Sequence, residues 1–176
     1  RWGISCAKTH CWIGSSGSVP SASASIRGAT AAEGTLPLLP IQQWFFAQEI
    51  PERHHFNQSI LLRVESWLDE PRLRRALDLL QREHDALRMR YVREADGSWR
   101  QSYAIPSDAA DVLRCCEVAT PQDIERESER TQRSLALADG PVWRVACMRH
   151  ADGSARLLIV VHHLNIDGVS WRVLLE

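Results

Sequence analysis

Two adjacent histidines, His162 and His163, stand where an apolar segment gives way to a polar loop, and Asp167 and Gly168 follow in the spacing His-His-x-x-x-Asp-Gly. Near pH 7 a neutral imidazole can accept a proton, so either histidine could serve as a general base. A carboxylate a few residues on can fix the loop through an ion pair or backbone hydrogen bonds. Gly168 leaves room where a side chain would obstruct a ligand or a turn. The opposing reading is that a histidine beside an apolar segment is a core or surface residue, its ring satisfied by a hydrogen bond.

The elements that must position these residues can be read from periodicity. Residues 157–161 have the length and composition of a buried strand, and residues 169–176 read as the start of a helix. Successive strand residues face opposite ways, so only one of the two histidines can point into a given cavity. Upstream, residues 142–149 and 155–161 predict a hairpin across Asp152-Gly153, and residues 87–92 and 99–104 another across Asp96-Gly97. Residues 56–65 alternate as a strand with Ile60, Leu62 and Val64 on one side, and residues 112–118 form a further short strand in which Cys115 and Cys116 are packing residues. Asp69 caps a helix with Pro71 in its first turn and Leu73, Ala76, Leu77 and Leu80 at helical spacing; its arginines make a solvated face. Thr120 and Pro121 open a helix to about Leu137 with a thin apolar face of Ile124, Leu135 and Ala138. Pro40 opens an earlier one, whose Trp44, Phe45 and Phe46 read first as core or docking residues. A second histidine pair, His54-His55, has no Asp-Gly after it and reads as loop.

The chain of 176 residues allows one domain with a tail, and 44% hydrophobic residues suffice for a core. A net charge of −1 argues against nucleic acid or a charged membrane surface as partner. No apolar run approaches the roughly 18 residues of a membrane span. Five irregularly spaced cysteines suit reduced thiols in a cytoplasmic protein. Residues 1–34 read as an unstructured, linker or non-native segment, rich in Ser, Gly and Ala. Cys6, His10 and Cys11 lack the second ligand pair a zinc site needs, so no metal is expected. A start at Arg1 and an end inside a helix suggest a fragment.

His162 to Glu176, with Val169, Ser170 and Trp171 after the Asp-Gly, resembles the core motif of the condensation-domain superfamily of nonribosomal peptide synthetases, and epimerization domains in particular. Pro40-Ile41-Gln42-Gln43-Trp44-Phe45-Phe46 is similar to the Pro-Ile-Gln-x-Trp-Phe motif of epimerization domains, where condensation domains proper usually carry an Ala-Gln-x-Arg-Leu-Trp type of segment. His55-Phe56-Asn57-Gln58-Ser59 is similar to the matching stretch of epimerization domains, without a role for Asn57 or Gln58. His84 to Tyr91 resembles the superfamily's Arg-His-Glu-x-Leu-Arg-Thr-x-Phe motif, departing from it at Glu83, Asp85 and Arg90-Tyr91.

Interleaved strands and helices with several antiparallel hairpins argue for an α+β sandwich, and the resemblance, over residues 35–176, agrees: it implies a two-layer α/β sandwich, the N-terminal half of a chloramphenicol-acetyltransferase-like domain whose active site lies in a channel between two halves. It implies His163 as catalytic base, with His162, Asp167, Gly168 and Arg88 in support: His162 orienting the loop, Arg88 paired with Asp167, and Gly168 keeping the channel open. The implied activity is epimerization, L to D, of an aminoacyl or peptidyl thioester presented on the 4'-phosphopantetheine arm of a carrier domain, with adjoining synthetase modules as partners and no directly bound cofactor. A second acid/base, a glutamate, belongs to the C-terminal half of such domains, so the isolated chain is expected to be inactive. Condensation through the same His163 is the chief alternative. A non-enzymatic docking fragment and an acyltransferase using free coenzyme A are further ones.

Overall fold

The computed structural model describes residues 3–6, 33–64, 68–106 and 111–175. Its principal sheet has five strands in the order β1-β3-β8-β7-β6: β1 (Gly3–Cys6), β3 (Asn57–Val64), β8 (Ala155–His162), β7 (Trp143–Arg149) and β6 (Leu113–Glu117). All neighbours are antiparallel except β6 and β7. A parallel pair needs a crossover, and helix α3 (Pro121–Arg133) supplies it. A smaller sheet has the order β2-β5-β4: β2 (Thr35–Leu36), β5 (Trp99–Tyr103) and β4 (Met89–Arg93).

Both expected hairpins form, β4/β5 and β7/β8. Gly97 at φ +85° and Gly153 at φ +84° occupy the left-handed position that glycine adopts without strain. In each turn the aspartate before the glycine accepts a hydrogen bond from the backbone of the serine after it, Ser98 N–H on Asp96 and Ser154 N–H on Asp152, both at 2.9 Å.

Helix starts follow the caps. Asp69 accepts from Arg72 N–H at the start of α2 (Glu70–Glu83), and Thr120 and Asp123 bond each other's backbone N–H at the start of α3. In α1 (Pro40–Ala47) Pro40 needs no N–H partner and Gln42 Oε1 accepts from Leu39 N–H. Strand alternation divides the large sheet's side chains between two faces. Ile60, Val145, Ile159 and Val161 meet Leu77 of α2 and Trp171 of α4 (Ser170–Leu175); Ala146, Met148, Leu158 and Val160 meet Ile124 of α3 together with Leu135. Cys115 and Cys116 pack against opposite faces, and both thiols are free. The α+β sandwich is therefore as expected, with helices on both faces of the larger sheet. A third cluster, Phe45, Phe46, Met89, Tyr91 and Val142, joins α1 to the small sheet; Trp44 stays exposed.

Three local expectations change. Gly3–Cys6, expected outside the fold, pairs its backbone with the outer edge of β3. An open edge offers unpaired N–H and C=O groups to an extended segment of almost any composition, so polar content is a poor guide there. Of the three residues that raise the zinc question, Cys6, His10 and Cys11, the last two lie outside the described residues. The strand expected from residue 87 starts at Met89, because Asp85–Arg88 forms a 3-10 turn that buries Leu87 and Arg88. Finally, α3 stops at Arg133 rather than near Leu137. Ser134 Oγ donates to Thr131 O, and the chain then turns so that Leu135 and Leu137 enter two different clusters.

Candidate functional site

His162 is the last residue of β8 and His163 the first beyond it, so their side chains part company as the strand period requires. His162 is fully buried, with Phe45 edge-on at 5.9 Å and Phe56 at 6.4 Å between ring centroids. Its Nδ1 lies 3.2 Å from Leu164 N–H, so that nitrogen accepts; Nε2, 3.0 Å from Arg53 O, must carry the proton and donate. Burial pushes the imidazole down from 6.5 to about 4. His162 is thus a neutral ring bolting the loop to residues 53 and 164.

His163 faces the other way and is half-buried, its ring stacked on Phe56 at 5.2 Å and 21°. Its Nδ1 sits 2.9 Å from Ile166 O, and since a carbonyl only accepts, Nδ1 holds the proton. The lone pair of the neutral ring therefore lies on Nε2, 3.3 Å from the side-chain nitrogen of Gln58. Gln58 cannot present its oxygen instead: Oε1 accepts from the indole N–H of Trp171 at 2.9 Å, and an indole only donates. The bonds run in one direction, from Trp171 N–H to Gln58 Oε1 and from Gln58 N–H to His163 Nε2. A tautomer fixed through one ring nitrogen with the lone pair presented by the other is the arrangement of a general base.

Asp167 is exposed at the start of α4, where Oδ1 accepts from Val169 N–H, Ser170 N–H and Ser170 Oγ–H at 2.7–3.0 Å. The Ser170 backbone bond chiefly holds its carboxyl below the usual range. Asp167 caps the helix that carries Trp171, and so supports His163 at two removes.

Arg88 is nearly fully buried and donates to Gln81 O at 3.1 Å, to Ala104 O at 2.6 Å and to the carboxylate of Asp85. The expected Arg88–Asp167 pair is thereby corrected. Asp85, a departure from the motif already visible in the sequence, meets the guanidinium within the same 3-10 turn, while Asp167 is committed to its cap. At Gly168 a Cβ would meet nothing within 4 Å, so the described residues leave open space there.

The loop has one more anchor. Asn165 Nδ2 donates to Ala86 O at 2.8 Å and to Tyr91 Oη at 3.2 Å, and Tyr91 Oη also accepts from Gln42 Nε2 at 3.2 Å. Burial pushes the Tyr91 phenol well up, so it stays protonated. Gln42, the glutamine of the Pro-Ile-Gln segment, is thus connected to the histidine loop. Among the described residues no group of three His, Cys, Asp or Glu side chains could hold a metal ion.

The family model for the condensation domain matches residues 32–176. The chain belongs to the condensation domain family. Curated members similar to it include a linear gramicidin synthase chain of Brevibacillus parabrevis, 44% identical over 149 residues, and a plipastatin synthase chain of Bacillus subtilis (strain 168), 41% identical over 150. The matches cover 81% and 82% of this chain but only 3% and 6% of those proteins. Among solved structures, the epimerization domain from the third module of tyrocidine synthetase B is 38% identical with a TM-score of 0.76, covering 82% of this chain and 33% of that one. The first condensation domain of the calcium-dependent antibiotic synthetase is 22% identical with a TM-score of 0.66 over 80% of this chain and 35% of its own, which shows the shared fold.

Within this condensation-family site, sequence reasoning named the two histidines, Asp167 and Gly168, and left Gln58 and Trp171 without a function. Period-2 alternation on β3 could have put Gln58 on the His163 side, since Gln58 pairs with Val161 in register. Only the fold reveals that it reaches the ring.

Proposed function

We propose that the chain is the N-terminal part of an epimerization domain of a nonribosomal peptide synthetase, inverting the α-carbon of an aminoacyl or peptidyl thioester from L to D. The carrying observation is His163, whose Nδ1–H is tied to Ile166 O so that Nε2 bears the lone pair at a half-exposed position. The likeness to the tyrocidine synthetase epimerization domain and the Pro40 to Phe46 segment support this choice of reaction.

The substrate arrives on the phosphopantetheine arm of a carrier domain, and the adjoining synthetase modules in the cytoplasm supply and consume it. His163 Nε2 takes the α-proton; the C–H electrons flow through Cα=C to the thioester oxygen. A proton delivered to the opposite face from the C-terminal part of the domain completes inversion. His162 and Asp167 hold the loop, and Gly168 keeps the channel clear.

Condensation is the second reading, favoured by the family match itself. There the same Nε2 assists the attacking amine. The deciding experiment extends the chain to an intact domain beside its carrier, loads an L-aminoacyl thioester, and follows α-proton exchange in D₂O with chiral analysis. Exchange and inversion, both lost in His163→Ala, are the expected result. Amide formation without exchange, once an acceptor carrier is added, overturns epimerization in favour of condensation.

A further inference from the structure

An imidazole that removes an α-proton creates negative charge on the thioester oxygen, and something must meet that charge. We propose that the side-chain N–H of Gln58, aimed by Trp171, donates the hydrogen bond that stabilises this oxyanion, making Gln58 a catalytic residue. The inference rests on the reading of His163 as the base.

Three observations converge. Gln58 Nε2 lies 3.3 Å from His163 Nε2, so donor and base are neighbours. A carbonyl oxygen stands about 2.4 Å from its α-carbon, by ordinary bond lengths and angles. One substrate unit can therefore offer its α-hydrogen to His163 and its oxygen to Gln58. Second, the amide is preorganised with the correct end forward. Flipping it would set its NH₂ against the Trp171 indole N–H, donor to donor, and lose the 2.9 Å bond. Third, Gln58 is released at the right moment. In the resting site its N–H is engaged by the His163 lone pair. An imidazole nitrogen has one lone pair, so the α-hydrogen displaces this N–H as it takes Nε2, and the N–H turns onto the thioester oxygen as the enolate forms.

The step balances without any co-reactant. The Cα–H bond breaks and an N–H bond forms on His163; the carbonyl π electrons move to oxygen. Gln58 lends a hydrogen bond and keeps its proton. Reprotonation at the opposite face returns the electrons to Cα.

The test uses the intact domain with its carrier and compares Gln58→Met, similar in shape but without a donor, with the unsubstituted domain. Loss of one such donor slows the step about 10²–10³-fold. The expected result is a fall of that order in kcat for α-proton exchange, with KM within about threefold, as befits a bond made chiefly in the transition state. Two further readouts separate direct donation from mere support of His163. With a ¹³C-labelled thioester carbonyl on the carrier, the infrared carbonyl band of the bound substrate lies lower in the unsubstituted domain than in the Gln58→Met variant. The ¹⁵N signals of His163 keep the Nδ1–H tautomer in both proteins, which also reports that the variant folds. Exchange within about fivefold of the unsubstituted rate overturns the proposal. So does an unchanged carbonyl band, or a lost tautomer accompanying the slower rate, since Gln58 then acts on His163 alone. If the unsubstituted domain itself makes amide without exchanging protons, the epimerization reading falls. The same comparison on amide formation then tests Gln58 against the tetrahedral oxyanion of that reaction.

Discussion

The two histidines of the motif show how environment splits identical side chains into different tools. His162 carries its proton on Nε2, bonded to Arg53 O, and burial holds it at about 4 against 6.5 for a free imidazole. The unfolded chain therefore takes up the proton first as pH falls. His162 contributes stability above pH 6.5 that is lost progressively down to about pH 4, a difference of about 3 kcal/mol across the window. We expect urea midpoints to fall between pH 6.5 and 4.5, and His162→Asn, though less stable overall, to show a flatter slope there. An equal slope in both proteins would remove His162 as the source. The pair's spacing was legible in the sequence, and so was the rule that only one ring could face a cavity. Which nitrogen holds each proton was not, because Arg53 O and Gln58 are brought in from more than 100 residues away along the chain.

At the scale of elements, α4 and the 3-10 turn carry the parts of the motif that side-chain chemistry alone misassigns. Asp167 acts through its cap, so a neutral side chain that can still accept hydrogen bonds should serve. Asp167→Asn is expected to keep α-proton exchange within about threefold of the parent in the intact domain, while Asp167→Ala, which frees α4 and with it Trp171, lowers exchange by about tenfold or more. Equal loss in both variants would mean that the charge itself is needed. Arg88 behaves oppositely. Truncation to Ala takes a donor from Gln81 O in a buried place and from Ala104 O in a partly buried one, and a buried acceptor that loses its bond costs about 1–3 kcal/mol. Thermal melting should therefore reveal Arg88→Ala as markedly destabilised, whereas Asp167→Asn melts with the parent. The hairpins and helix starts could be read from Asp-Gly pairs and caps because those signals are local. The end of α3 and the partner of Arg88 could not, because tertiary packing of Leu135 and a competing carboxylate three residues from Arg88 decide them.

On the scale of the molecule, the alternation of strands and helices was enough to imply an α+β sandwich. Which helix covers which face needed the register of β3, β8 and β7. That register also puts the proposed base and its donor, Gln58, at the end of the sheet beside α4, and it bears on how inversion is divided across the domain. Removal of a proton from one face of a carbon and its return to the other requires two groups on opposite sides of the substrate. In the proposed mechanism His163 and Gln58, backed by the buried Trp171, form one wall. The nearby carboxylate of Asp167 is turned into its helix cap by three hydrogen bonds. The chain spans about a third of the solved epimerization domain it resembles. We expect the purified 176-residue chain, given a carrier loaded with an L-aminoacyl thioester, to yield no D-product above the uncatalysed background. Fusing the remainder of the domain in cis should restore inversion. Chiral analysis of the hydrolysed thioester reads both. D-product from the chain alone, at a rate near that of the intact domain, would mean that this wall supplies both protons, and the second group would have to be sought among its own residues.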